Sequence, residues 1–304
     1  MRRAKTTVPN HEFPTKNMPM SGVQTKLNYA TTCLTAILIF SFVLAYFPVW
    51  KTLITTWKTS DQYSHGFLIL PLCLYVVWRK KECLAKLPAS PSPWGLGIII
   101  FSLSVYIVVH FAEVVTIASL SMVLLIAGII VYLYGFQMLK ELLFPLSFLL
   151  FMIPVPAQIF SALTIPLQLF VTKASTWIAA LFAIPVYHEG NVIHLPDRTL
   201  QVVQACSGLR SFISLLALSA IFGYFTLRSN FLRAALFVFG APAAILVNII
   251  RVLVFLLAFY YFDLDLSTDG LHTLFGVSIF VLALISIILM KGILSNWDTH
   301  AIAK

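Results

Sequence analysis

The strongest constraint on this chain is a series of apolar stretches at 27–49, 64–78, 95–112, 114–135, 142–162, 206–227, 233–262 and 272–290. Several approach the length a helix needs to cross ~30 Å of hydrocarbon. Charged residues make up only 10% of the chain against 60% hydrophobic, and the mean hydropathy is +0.94. The expected architecture is all-α, a polytopic membrane helix bundle of about eight transmembrane helices.

Positive charge orients these spans. The formal net charge of +9 would suggest a nucleic-acid partner in a soluble domain, but here the basic residues gather in short loops, as membrane orientation requires, so no nucleic acid is expected. Arg79, Lys80, Lys81 and Lys86 mark one loop as cytoplasmic, Lys140 a second, Arg228 and Arg233 a third, and Lys291 follows the last span. Asp263, Asp265 and Asp269 fit the opposite side. Residues 1–26, with Arg2, Arg3, Lys5, Lys16 and Lys26 among scattered prolines, read as a disordered cytoplasmic tail. The run from Leu27 to Trp50 is too long for a signal-peptide core and reads as a retained anchor. Residues 27–291 then form one integral membrane domain and 292–304 a short tail, with both termini cytoplasmic.

One segment resists this threading. Residues 164–187 are apolar but contain Pro166, Pro185, Gln168 and Lys173, and a ninth crossing would reverse the side of the loops that follow. An interfacial or re-entrant helix on the outer face is therefore expected. Beyond it, "NVIHL" and "TLQVVQ" flank "PDR", two β-prone runs around a turn, which read as a short β-hairpin. The outer-face segment, 164–205, leads directly into "ACSGLRS".

That motif holds Cys206. Cys33 and Cys73 fall in apolar runs and Cys83 in a basic loop, so none is an evident disulfide partner, and no metal-ligand spacing or cofactor motif is present. Free cysteine packs well as a small hydrophobe, which is the simplest reading of a lone thiol. Depth supplies a reason to look further. Counted from the cytoplasmic end of each span, Cys206 lies roughly 31 Å up, Arg251 roughly 27 Å and His272 roughly 28 Å. Three helices thus deliver a thiol, a guanidinium and an imidazole to one level near the outer surface.

The trio is chemically coherent. A thiolate attacks carbonyl carbon, a histidine takes the thiol proton and returns it to the leaving amine, and a fixed cation stabilises the oxyanion. Ser207 as helix cap would put the sulfur beside a positive helix end, favouring thiolate, and Arg251 would push the same way. Gly208 would allow close approach of a substrate backbone. Asn248, three residues before Arg251, could orient the guanidinium or bind the substrate carbonyl. Arg210 either faces this cleft or snorkels to headgroups.

These motifs carry a family resemblance. "YSHGF" at 63–67, "IPVYHEGNVIHLP" at 184–196, "ACSGLRS" at 205–211, "APAAILVNIIRV" at 241–252 and "HTLFG" at 272–276 make the chain resemble the exosortase/archaeosortase family of membrane-embedded cysteine transpeptidases. The resemblance implies that Cys206, Arg251 and His272 are catalytic, with His65 a secondary site residue. It implies as substrates exported proteins ending in a tripartite signal: a short motif, often Pro-Glu-Pro, a transmembrane helix, and a basic cytoplasmic cluster. The implied setting is a bacterial cytoplasmic membrane, with the site at its periplasmic face, membrane lipid around it and an exopolysaccharide-associated sorting role. The acceptor nucleophile is left open. Two other readings stand beside this one: a transporter or assembly factor binding an anionic group through Arg251, and a thiol-dependent acyltransferase.

Overall fold

The computed structural model describes residues 21–60, 62–112, 114–196, 199–202, 209–264 and 269–302. The chain divides into two compact units, 1–48 and 49–304. In the first, α1 (Ser21–Ala45) exposes Leu34, Ile37, Phe40 and Leu44, apolar on several faces as a helix in lipid is. It begins inside the stretch expected to be a tail. The second unit opens within α2 (Phe47–Thr59), whose inward positions Val49, Leu53 and Trp57 recur every fourth residue.

The second unit continues through α3 (Gly66–Arg79), the short α4 (Lys81–Lys86), α5 (Trp94–Phe111) and α6 (Val115–Tyr134). Next comes α7 (Phe136–Phe148), which tightens into a 3-10 turn at Leu149–Met152, and then α8 (Ala157–Leu181). Three strands follow, and α9 (Leu209–Thr226), α10 (Asn230–Phe262) and α11 (Asp269–Ile302) complete the unit. The last helix runs on through the stretch expected to be a second tail.

Among the described residues, four segments are long and apolar enough to cross a membrane: Trp94–Phe111, Val115–Tyr134, Asn230–Phe262 and Gly276–Trp297. The number rises to six when each of two bent helix pairs counts as one span. This corrects the expected eight. At 14 residues α3 rises only about 21 Å, short of the ~30 Å hydrocarbon core. The expected span 142–162 is likewise not one helix. Pro154 and Pro156 interrupt it at 153–156, and α8 leaves at 84° to the preceding helix.

The face α8 buries is unusual in being polar. Thr164, Gln168, Thr172, Ser175 and Thr176 lie along one side of the helix that packs on α10. Their small size allows close packing, and Thr164 and Thr176 donate to carbonyls one turn back, Phe160 and Thr172, each at 2.7 Å. Ser175 reaches across to the Ile249 carbonyl at 3.4 Å.

The expected hairpin is present and gains a third strand. β2 (Val192–His194) and β3 (Thr199–Gln201) pair antiparallel with Ile193 opposite Leu200, and β1 (Tyr187–Glu189) adds to the other edge of β2. The β1–β2 turn passes through Gly190 at φ +60°, a conformation glycine adopts without strain. Ile193 is fully buried and joins Val171 and Ala179 of α8 and Val252 and Phe255 of α10 in one core. A second core, with Leu215, Leu236, Ala283 and Ile287, holds α9, α10 and α11 together. Helix α10 is common to both.

Candidate active site

The α9–α11 bundle sets the geometry of the expected site. A Cβ at Gly223 would lie 3.6 Å from the Arg233 backbone, and one at Gly240 would meet Ser219 Oγ at 2.8 Å, so α9 and α10 run antiparallel at close range. Carried to the start of α9, that register brings the Asn248–Arg251 turn level with Leu209. Helix α11 packs on both α9 and α10, and His272 falls in its first turn. The start of α9, the C-terminal third of α10 and the start of α11 therefore lie at one end of the bundle.

Arg251 is 7% exposed and Asn248 4% exposed, one helical turn apart on α10. The guanidinium carbon stands 5.8 Å from the centre of the Phe255 ring, a cation–π contact. Cys206, Ser207 and Gly208 lie outside the described residues, as do the side chains of Arg210 and His272. The chain leading towards Cys206 is fixed as far as Val202. Its backbone N–H donates to the Asn191 carbonyl at 2.8 Å, its carbonyl accepts from Asn191 Nδ2 at 3.1 Å, and its side chain is 1% exposed in the α8–α10 core.

His65 is found elsewhere, and its surroundings explain the "YSHG" motif. The break at 153–156 leaves backbone groups without helical partners, each costing several kcal/mol where water is excluded. Side chains answer them. Trp57 Nε1 donates to the Met152 carbonyl at 3.0 Å, and Thr116 Oγ1 donates to that of Pro154 at 2.8 Å. His65 Nε2 donates to the Phe151 carbonyl at 3.1 Å, and the Val155 N–H donates to the Tyr63 hydroxyl oxygen at 3.0 Å. Gly66 belongs to the same clamp, because a Cβ there would collide with the Trp57 indole.

Two of these groups titrate, and both sit in the turn before α3. Burial lowers the His65 pKa below its ordinary value of 6.5, with the backbone of Phe151 and Gln62 opposing the shift. Burial raises that of Tyr63, against the Val155 N–H. Burial thus favours the neutral form of His65, which donates to the main chain. Sequence reading singled out His65 but missed Trp57, Tyr63 and Thr116; the signal was "IPVP", whose two prolines announce a break that something must satisfy. Cys73 is buried and donates to the Pro145 carbonyl at 3.3 Å, a packing role.

Comparison with known proteins gives one match. A family described as transmembrane exosortase (Exosortase_EpsH) matches residues 57–289, which includes the clamp, the sheet, α9, α10 and α11 as far as residue 289. No curated protein and no solved structure matches the chain.

Proposed function

Because the chain belongs to the transmembrane exosortase family, with a general membrane transpeptidase and sorting role, we propose that it cleaves tripartite C-terminal signals of exported proteins through a Cys206 thioester. The Cys206 thiolate attacks a peptide carbonyl near the signal motif, with the thiol proton passing to His272. Collapse of the tetrahedral intermediate breaks the C–N bond. His272 returns the proton to the leaving amine, and the helical tail departs. An acceptor nucleophile then attacks the thioester carbonyl and regenerates the thiol. Arg251 stabilises the oxyanion or binds the acidic residue of the motif.

One observation carries this reading: Arg251 is buried at the end of the bundle where α9 and α11 begin, next in chain order to Cys206 and His272. Burying a guanidinium is costly, and such residues in membrane proteins are functional by default. The reaction belongs to the periplasmic face of a bacterial cytoplasmic membrane, where the signal motif would emerge, with both termini of the enzyme on the other side.

The test co-expresses the full chain with a secreted reporter carrying a tripartite tail. The tail is removed by the native protein and remains intact with Cys206→Ala. Removal that persists in Cys206→Ala would eliminate the thioester.

A further inference from the structure

A groove of about 950 Å³ opens between α7 on one side and α9 and α10 on the other, and the chemistry described above does not use it. Its walls are apolar, with Leu143, Phe148 and Phe151 facing Ile213, Ala220 and Phe237. Its two ends differ. One is the clamped break, at Tyr63 and Val155; the other holds Lys80, Lys140 and Arg233 with a single carboxylate, Glu141. The length of α3 separates Tyr63 from Lys80 by roughly 21 Å.

The basic end is organised around one ring. Tyr224 stacks on Phe144 with centroids 3.8 Å apart, and the Arg233 guanidinium lies 5.1 Å and the Lys80 ammonium 5.9 Å from its centre. Arg233 Nε donates to the Leu227 carbonyl at 2.8 Å and Nη1 to Asn230 Oδ1 at 3.1 Å, which fixes the plane of its fork. Lys80 Nζ donates to Glu141 Oε2 at 2.7 Å and to the Glu141 carbonyl at 2.8 Å. Burial pulls the Lys80 pKa down, but Glu141 and Tyr224 outweigh it, and the ammonium keeps its charge. Three cations against one anion leave this end at a formal +2.

We propose that this groove is a binding site for an anionic phospholipid, its phosphate at Lys140 and Arg233 and one acyl chain along the walls towards Phe151. Three features select that occupant. The site is amphiphilic lengthwise, and its charge is opposite to that of an anionic headgroup, as in the basic interhelical pockets that take such lipids. A substrate tail of the kind proposed above also carries a basic cytoplasmic cluster, which a +2 end repels.

Native mass spectrometry on the full chain in detergent reads this directly, with phosphatidylglycerol and phosphatidylcholine of matched acyl chains offered together. The native protein retains one phosphatidylglycerol in preference to phosphatidylcholine, on the order of tenfold. Lys140→Glu, at an exposed position, removes that preference, whereas Lys86→Glu, the same charge change outside the groove, leaves it intact. Ala220→Trp fills the wall and lowers retention of both lipids. Millimolar inorganic phosphate does not displace the bound lipid, because the acyl chain contributes to binding. Cys206→Ala retains lipid as the native protein does, which separates this site from the thiol chemistry. Equal retention of the two lipids, a preference that survives Lys140→Glu, or displacement by an apolar helical peptide with a basic C-terminal cluster each overturns the proposal.

Discussion

At the 153–156 break, four side chains from α2, the turn before α3 and α6 each meet one main-chain group of a proline-interrupted segment. At the end of the α9–α11 bundle the setting differs: Arg251 and Asn248 project, both buried, from within the long helix α10. Both regions set polar side chains among apolar ones, and both contain motifs that sequence alone marks as candidates for chemistry. The first set of side chains completes a backbone. The second buries a cation inside a helix bundle, where charge is costly, and a charge that develops during a reaction would give that burial a use.

Substitutions at Arg251 press hardest on that contrast. Arg251→Ala is expected to lower tail removal about 10²- to 10³-fold, the usual cost of losing one oxyanion donor. Arg251→Lys should fall between, since the ammonium keeps the charge and loses the planar fork. Reporter cleavage normalised to the amount of folded protein in the membrane measures both. Cleavage near the native level in Arg251→Ala would make this buried cation structural, like the clamp.

Gly66 and Trp57 give the opposite signature. Gly66→Ala drives a methyl into the Trp57 indole, and overpacking of this kind costs about 1–3 kcal/mol. Trp57→Phe leaves the Met152 carbonyl without its donor, at about 1–3 kcal/mol. Thermal unfolding in detergent should register both losses, while cleavage per folded molecule stays within a few fold of native. The double variant should lose less than the two single losses together, because the smaller phenyl ring relieves part of the collision. A rate loss with no change in stability would move the clamp into the catalytic machinery.

How much of this was legible in the sequence follows from what each signal measures. Apolar length and the basic loops are local properties, and the all-α membrane class and the three-helix bundle could be read from them. The span count could not. Helix length depends on where prolines and breaks fall in three dimensions: "IPVP" bends one expected span by 84°, and α3 stops at 14 residues. The pairing of Tyr187–Glu189 with β2 was also hidden, because three residues carry too little alternation to announce a strand. For the site, the depth argument set Arg251 level with Cys206 and His272, and the structure puts Arg251 on α10 towards the end of the bundle where α9 and α11 begin. Depth says nothing about direction, and the aim of the His65 imidazole at the Phe151 carbonyl is seen only in the structure. Lys80, Lys140 and Arg233 were read only as orientation signals, since nothing in sequence shows three loops converging on Tyr224.

His65 offers the smallest and most discriminating effect. As a clamp donor it needs one N–H aimed at the Phe151 carbonyl, and a glutamine amide can supply that; as a catalytic base it would need a basic ring nitrogen, which glutamine lacks. His65→Gln should therefore cleave the reporter at close to the native rate, and His65→Ala should lose about 1 kcal/mol of stability. The pH dependence has a definite sign. Burial holds the folded pKa below 6.5, so between the folded and unfolded values the unfolded chain binds more protons. The contribution of His65 is then fully present above pH 6.5 and is lost as pH falls through the lower, folded value. Thermal unfolding followed from pH 8 to pH 5 should show a decline in the native protein that is shallower in His65→Gln, which has nothing to titrate. An identical decline in both would remove His65 from the clamp, and abolished cleavage in folded His65→Gln would return it to the list of candidate bases.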